Sequence, residues 1–132
     1  MIVVDASALV AIAEREPERD QFLEVLDRVD VSYLSHINFV ETGVILIQRR
    51  LFADEGELLD WLADFGVKRR EDVDLGSAAL AAYLRFGKGF HPARLNLADC
   101  FAYALAKELG MPLLYKGDDF AKTDIRSALQ PT

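Results

Sequence analysis

The amino-acid sequence predicts an α/β protein: a three-layer α/β/α domain around a central parallel sheet of four to five short strands. Short apolar runs rich in β-branched residues, such as Ile2-Val3-Val4, are typical of strands buried on both faces of a parallel sheet. Segments with helical periodicity separate these runs. Strands that alternate with helices form right-handed βαβ units, which place helices on both faces of the sheet.

The length and composition are those of one ordinary globular domain. The chain has 132 residues, which predicts a single domain over residues 1–132. No apolar run approaches the roughly 20 residues that span a bilayer, and the N-terminus lacks the pattern of a signal peptide. We therefore expect a cytoplasmic protein with no membrane partner. A single cysteine, Cys100, excludes an internal disulfide.

Helix signals and breakers place the elements of the first half. Pro17 separates the first two helices, Ser35 is a good N-cap for the third, and Gly66 ends the fourth. We expect strands at 2–4 and 31–34, and helices at 6–14, around 22–29, at 36–52 and at 54–65.

The helix predicted at 36–52 is unusually apolar. Its periodicity predicts a core stripe of five residues, Ile37, Val40, Val44, Ile47 and Leu51. The run 44–47, however, is apolar around the whole helix and is too wide for one core face. This run indicates either tight burial within the chain or a surface that a partner covers.

The second half repeats the same alternation. We expect a short strand within 67–73, a helix at 77–86, a helix from about 98 to 109 that ends at Gly110, and a last strand at 112–115. A turn over residues 116–119 leaves that strand.

Four isolated carboxylates lie beside apolar segments: Asp5, Glu41, Asp99 and one of the pair Asp118/Asp119. Carboxylates in sheltered places are costly unless a cation lies between them, and hard divalent cations prefer oxygen ligands. Ligands of parallel sheets bind beyond the carboxyl ends of the strands, where Asp5 and the Asp118/Asp119 pair are expected. These acids therefore predict a metal site.

Each acid also has a structural interpretation that the sequence leaves open. Asp5 is a possible N-cap of the first helix, and Asp99 follows Asn96 with the spacing of a capping box. Glu41 borders the apolar stripe of its helix and is compatible with a glutamate at the rim of the core. Helix capping alone, however, does not require that all four acids lie beside apolar segments.

The charge distribution leaves room for a nucleic-acid partner. A net charge of −7 argues against one, yet residues 75–98 contain no acid and include Arg85, Lys88 and Arg94. This segment is interpreted either as a solvated loop or as a rim that contacts phosphates beside Asp99.

Four parts of the chain together resemble a PIN-domain ribonuclease, more narrowly the VapC-type toxins of bacterial toxin–antitoxin pairs. They are residues 2–9 (IVVDASAL), the lone helical Glu41, residues 95–100 (LNLADC) and residues 113–120 (LLYKGDDF). The resemblance implies a PIN-like fold and a Mg²⁺- or Mn²⁺-dependent endoribonuclease that hydrolyses RNA. It also implies a homodimer and a small VapB-like antitoxin as partners.

The same resemblance assigns site residues. Asp5, Glu41 and Asp99 take the places of the core acids that hold the metal. The fourth acid is open among Asp118, Asp119 and Asp124, and we prefer Asp118 because it is nearest the end of the last strand. We expect Asp5 and Asp99 to bind metal directly, and Glu41 and Asp118 to act through a second ion or its water.

Two other functions compete with this one. A phospho-accepting receiver domain is also a small parallel α/β protein with acids at strand ends and a lysine near the last strand, here Lys116. Such a domain needs paired acids after its first strand, whereas Asp5 is single. The other alternative is a non-catalytic interaction module whose acids serve only as helix caps.

Overall fold

A four-stranded parallel sheet forms the centre of the computed structural model, which describes residues 1–129; residues 130–132, the end of the predicted domain, lie outside the described part. The strands are β1 (Ile2–Val4), β2 (Ser32–Ser35), β3 (Val67–Arg70) and β4 (Leu113–Leu114). The helices are α1 (Ala6–Ala13), α2 (Arg19–Arg28), α3 (His36–Gln48), α4 (Glu55–Asp64), α5 (Gly76–Phe86) and α6 (Leu97–Leu109), followed by a 3₁₀ turn at Phe120–Lys122.

The sheet separates two apolar clusters, so the predicted three-layer α/β fold is confirmed. Val4 points into the cluster built with α1 to α4, where Leu9, Phe22 and Leu46 are buried. Val3, its neighbour along the strand, points into the cluster built with α5 and α6. Successive residues of a strand face opposite sides, which is why the buried run of β1 is apolar throughout.

The strand order is β3-β2-β1-β4, with every neighbouring pair parallel. The chain moves from β1 to β2 and β3 on one side, and then crosses to place β4 on the other side of β1. The order therefore reverses at β1, and a crevice opens beyond the carboxyl ends of β1 and β4. Asp5 follows β1 directly, at the mouth of this crevice.

The predicted core stripe of α3 is wrong. Ile37, Val40 and Val44 are 37%, 50% and 53% exposed, whereas Phe39 and Leu46 are buried. The helix is apolar on both faces, and the face with the small residues Thr42 and Gly43 is the one that approaches the core. A Cβ on Gly43 would lie 3.1 Å from Leu58 Cδ2, which explains why this face packs closely.

The ends of α3 are set by local signals. Ser35 caps the helix as predicted, because its hydroxyl accepts a hydrogen bond from the backbone N–H of Asn38 over 3.0 Å. The helix ends at Gln48 rather than at residue 52, and Arg50 follows in the left-handed conformation with φ 61°. No helix within residues 1–129 has the length and apolar character needed to cross a membrane.

Candidate active site

A cavity of about 490 Å³ lies beyond the carboxyl ends of β1 and β4, and carboxylates dominate its wall. Three of the predicted acids, Asp5, Glu41 and Asp99, line it together. They come from three separate elements: the end of β1, the second turn of α3 and the first turn of α6. The remaining charged side chains of the wall are Glu14, Glu16, Arg49, Lys116 and Asp119.

Asp5 combines the two interpretations that the sequence left open. Its Oδ2 caps α1 by accepting the backbone N–H of Ser7 over 3.0 Å. Its Oδ1 is buried and has no hydrogen-bond partner within residues 1–129. An unpaired buried carboxylate oxygen is costly, and a bound cation is one way to compensate it.

Asp99 also serves as a cap while it faces the cavity. Its Oδ2 accepts the backbone N–H of Asn96 over 3.0 Å, and Asn96 Oδ1 accepts the backbone N–H of Asp99 over 2.8 Å. The predicted capping box is therefore present. It holds the Asp99 side chain at the N-terminus of α6, on the rim of the cavity.

Glu41 is oriented by a residue that the sequence reasoning missed, Asn38. The fully buried Asn38 donates from Nδ2 to Glu41 Oε1 over 3.3 Å and to the carbonyl of Ala98 over 3.1 Å. The same amide group thus joins α3 to the start of α6. A polar residue three positions before Glu41 on an apolar helix was the available signal.

The three acids raise one another's pKa values. Burial raises the pKa of the Asp5 carboxyl to about 6, against hydrogen bonds from Ser7 and with a contribution from the charge of Glu41. Burial, with the charges of Asp5 and Asp119, raises the pKa of Asp99 to about 7. Burial and the charge of Asp99 also raise the pKa of Glu41. The cavity therefore favours either protons or a cation.

The structure places the candidates for the fourth acid in different surroundings. Asp119 lines the cavity and contributes to the raised pKa of Asp99. Asp118, which the sequence favoured, is exposed, as Asp119 is, but it is not among the residues of the wall. Asp124 accepts a hydrogen bond from the Tyr103 hydroxyl and pairs with Lys107 at 3.0 Å, outside the cavity wall.

The cations predicted to contact phosphate do not line this cavity. Arg85 pairs with Asp124 at 3.6 Å, and Arg94 lies exposed in the loop before α6. Lys88 lines a neighbouring apolar groove, which shares Asn96 with the acid cavity. The two bases that do line the cavity, Arg49 and Lys116, were not assigned to the site from sequence, although Lys116 is only two residues before Asp118.

The donor set suits a divalent cation, although the side chains are not already arranged around one. Within residues 1–129, no group of three or more aspartate, glutamate, histidine or cysteine side chains stands in the geometry of a formed metal centre. The acids nevertheless share one cavity, offer only oxygen donors, and include the unpaired Oδ1 of Asp5. The residues therefore fit a hard divalent ion that draws them together.

Comparisons with known proteins identify the family of this chain. The PIN domain family matches residues 2–126, and the chain therefore belongs to this family. It is 44% identical over 130 residues to Ribonuclease VapC42 of Mycobacterium tuberculosis, covering 96% of this chain and 98% of the relative. It is 42% identical over 126 residues to Ribonuclease VapC of Mycolicibacterium smegmatis, covering 94% and 97%.

Solved structures share the fold. The VapC20 toxin of Mycobacterium tuberculosis, described as cleaving the sarcin-ricin loop, superposes with a TM-score of 0.73 at 18% identity, covering 95% of this chain and 96% of that one. A protein from Pyrobaculum aerophilum superposes with a TM-score of 0.62 at 22% identity, covering 95% and 86%. Family and relatives support the predicted PIN-domain endoribonuclease toxin and do not favour the receiver-like or non-catalytic alternatives.

Proposed function

We propose that this chain is the toxin of a toxin–antitoxin pair and cleaves RNA with the help of Mg²⁺ or Mn²⁺ bound in the acid cavity. The buried, unpaired Oδ1 of Asp5 carries the proposal, because Glu41, Asp99 and Asp119 line the same cavity. Helix capping accounts for Oδ2 of Asp5 but leaves Oδ1 without a partner. A divalent cation supplies that partner and offsets the mutual repulsion of the acids.

Asp5 and Asp99 are the proposed direct ligands, and Glu41 and Asp119 act through a second ion or its bound water. Asp119 replaces Asp118 in this assignment because it faces the cavity. An ion held by these acids would polarise the scissile phosphate, supply an activated water for hydrolysis and offset the charge of the acids toward a polyanion.

The chain's own residues position these acids. The Ser7 N–H holds one oxygen of Asp5, and the other oxygen has no hydrogen-bond partner among the described residues. Asn38 holds Glu41 by Oε1, which leaves Oε2 free to accept a proton. Because burial raises the pKa of Glu41, its carboxylate is a stronger base than an exposed glutamate.

Cleavage assays with single carboxamide variants test this function. We expect Mg²⁺- or Mn²⁺-dependent RNA cleavage by the wild type, and its loss in both Asp5→Asn and Asp99→Asn. Asp60→Asn on α4, an exposed residue outside the cavity wall, is the matched control and keeps wild-type activity. Circular dichroism confirms that each variant is folded. Unchanged cleavage in the Asp5 and Asp99 variants would refute the assignment.

Besides the RNA substrate, we propose two protein partners for this chain: a VapB-like antitoxin and a second copy of the chain itself. The outer face of α3 exposes Ile37, Val40 and Val44. Ile37 lies beside Phe101, which also lines the groove containing Leu80 and Leu97. The exposed apolar residues of α3 and of this groove form the proposed dimer interface.

The three basic residues outside the cavity, Arg85, Lys88 and Arg94, are proposed only as phosphate contacts away from the scissile bond. Lys88 lies in the groove that adjoins the cavity through Asn96, so it is suited to a phosphate at some distance from the scissile one. Arg94 is exposed in the same loop. Arg85 is the weakest of the three for this role, because its guanidinium is already paired with Asp124.

A further inference from the structure

Two basic residues line the acid cavity, and each is held by a glutamate that the metal assignment does not use. Arg49 Nη1 donates to Glu14 Oε2 over 2.6 Å. Lys116 Nζ pairs with Glu16 and, at 3.3 Å, with Glu18. The two pairs cancel in charge, so the cavity carries, beyond them, only the four acids of the proposed metal site.

Arg49 lies at the far end of a groove between α1 and α3. The wall continues from Asp5 along α1 through Val10, and from Glu41 along α3 through Ile45. Arg49 follows Glu41 by eight residues, which corresponds to about 12 Å of helix. The groove therefore leads from the acids to the Arg49–Glu14 pair at the ends of the two helices.

The backbone of Lys116 lies beside the Asp5 segment, and its ammonium group reaches Glu16 and Glu18, just after the end of α1. Its backbone N–H donates to Ser7 Oγ over 3.0 Å, and Ser7 is the residue whose N–H holds Asp5. The Lys116 backbone is therefore fixed to the metal-binding loop. Its side chain is about one-third exposed, so it is accessible to a bound chain.

Arg49 retains donors for another anion. A guanidinium has five N–H donors, and the structure gives Arg49 one side-chain hydrogen bond, from Nη1 to Glu14. Its side chain is 53% exposed, so the other donors face solvent. Arginine at such a position is well suited to a bidentate contact with a phosphate.

We propose that the groove between α1 and α3 carries the RNA strand next to the scissile phosphate, with Arg49 and Lys116 as its phosphate contacts. Glu14 and Glu16 hold the two cations in the free protein and compete with the phosphates for them. This inference rests on the proposed ribonuclease function and names the path of its substrate.

Two substitutions that break the same ion pair separate this role from a structural one. Arg49→Gln removes the phosphate contact, whereas Glu14→Gln removes its competitor. We expect Arg49→Gln to weaken RNA binding roughly fivefold, and Glu14→Gln to strengthen it. A purely structural ion pair predicts that both variants change binding in the same direction. Lys116→Gln and Glu16→Gln form a second matched pair with the same expectation.

Binding is measured with an end-labelled single-stranded RNA oligonucleotide of mixed sequence, in the Asp99→Asn background with Mg²⁺ present. The salt dependence supplies a second readout. Each lost phosphate contact lowers the slope of log Kd against log salt by about 0.7 for a single strand. Arg50→Gln is the control for Arg49, because it removes the same charge from the next residue, which lines a different pocket. Lys122→Gln, outside the wall, is the control for Lys116.

The outcomes separate this inference from the function on which it rests. Opposite effects within each pair, with a reduced salt slope in Arg49→Gln and Lys116→Gln, support the RNA path even if the wild type fails to cleave. Changes in the same direction within a pair, or an unaltered slope, overturn it even if the wild type cleaves RNA. An effect of Arg50→Gln equal to that of Arg49→Gln also overturns it.

Discussion

The backbone N–H of Ser7 donates to one oxygen of Asp5 over 3.0 Å, and the other oxygen stays buried without a partner. A single carboxylate is thus both the N-cap of α1 and a candidate ligand. Ser7 Oγ also accepts the N–H of Lys116, so the first turn of α1 and the segment after β4 are joined at this point. The hydrogen bond that starts the first helix therefore also orients the carboxylate that we propose as a metal ligand.

The stability of the protein without divalent cations should fall as the pH rises from about 4 to 7. The pKa values of Asp5 and Asp99 are raised from 3.8 to about 6 and about 7, so the folded state holds more protons than the unfolded chain in this window. The stability that these groups add is complete below their unfolded pKa and is lost as the pH rises through their folded pKa. For the fully buried Asp5, the shift corresponds to about 3 kcal/mol.

Thermal unfolding in a chelating buffer, followed from about pH 4 to about pH 7.5, measures this effect. We expect Asp5→Asn to flatten the pH dependence, and Asp60→Asn to leave it unchanged. Added Mg²⁺ should raise the Tm most at the upper end of the range, where the acids are ionised. A Tm that rises across this window without metal would contradict the prediction.

Asp119→Asn should reduce cleavage more than Asp118→Asn does. Asp119 faces the cavity and interacts with Asp99, whereas Asp118 is exposed outside the cavity wall. We expect a loss of about tenfold or more in kcat for Asp119→Asn, since it removes an acid close to the reacting groups. Steady-state kinetics of both variants at saturating Mg²⁺ decide between them. Equal losses of kcat in the two variants, or a larger loss in Asp118→Asn, would contradict the choice of Asp119 as the fourth acid and favour Asp118.

Asn38→Ala should lower both stability and kcat. The substitution leaves the Ala98 carbonyl without the Asn38 amide and frees the Glu41 side chain. The loss of these two part-buried hydrogen bonds should cost about 2 kcal/mol of unfolding free energy. Urea denaturation measures that loss, and cleavage assays well below the Tm measure kcat.

Thr42→Val is the matched control for Asn38→Ala. It removes a buried hydroxyl of α3, which donates to the backbone carbonyl of Asn38 and not to Glu41. Its kcat should remain at the wild-type value. If Asn38→Ala keeps full kcat while folded, the orientation of Glu41 does not depend on Asn38.

Val44→Lys should convert the proposed homodimer to a monomer. Val44 is 53% exposed on the apolar face of α3, so a lysine there costs little in the monomer but places a charge in the interface. Sedimentation velocity at several protein concentrations measures the change. Leu59→Lys, at a 40% exposed position on α4, is the control and should leave the sedimentation coefficient unchanged. A wild type that sediments as a monomer would refute the interface.

The elements themselves follow closely from local sequence. Ser35 caps α3 through its hydroxyl, and Gly110 ends α6 in the left-handed conformation with φ 65°. Serine and glycine commonly have these roles at the two ends of helices, whatever the fold. The capping box of Asn96 and Asp99 is equally local. These signals act within one helical turn, so they are visible in the sequence without knowledge of the fold.

The buried face of α3 was not predictable in this way. Ile37, Val40 and Val44 have the spacing of a core stripe, but Thr42 and Gly43 allow closer packing on another face. Both faces are apolar, and helical periodicity alone does not choose between them. Which face of α3 is buried depends on the shape of the neighbouring side chains, here that of Leu58 beside Gly43.

The sequence by itself determined the fold class, the family resemblance and three acids that line the cavity, Asp5, Glu41 and Asp99, because each is recognisable from a short segment of sequence. Only the tertiary structure decided which of the two aspartates after β4 lines the cavity with them. Asp118 and Asp119 are adjacent in the chain, and the turn after β4 brings Asp119 alone to the cavity wall. Arg49 and Lys116 also line that wall. In each case the packing of segments that are distant in the sequence, and not the neighbouring residues, sets what the side chain faces.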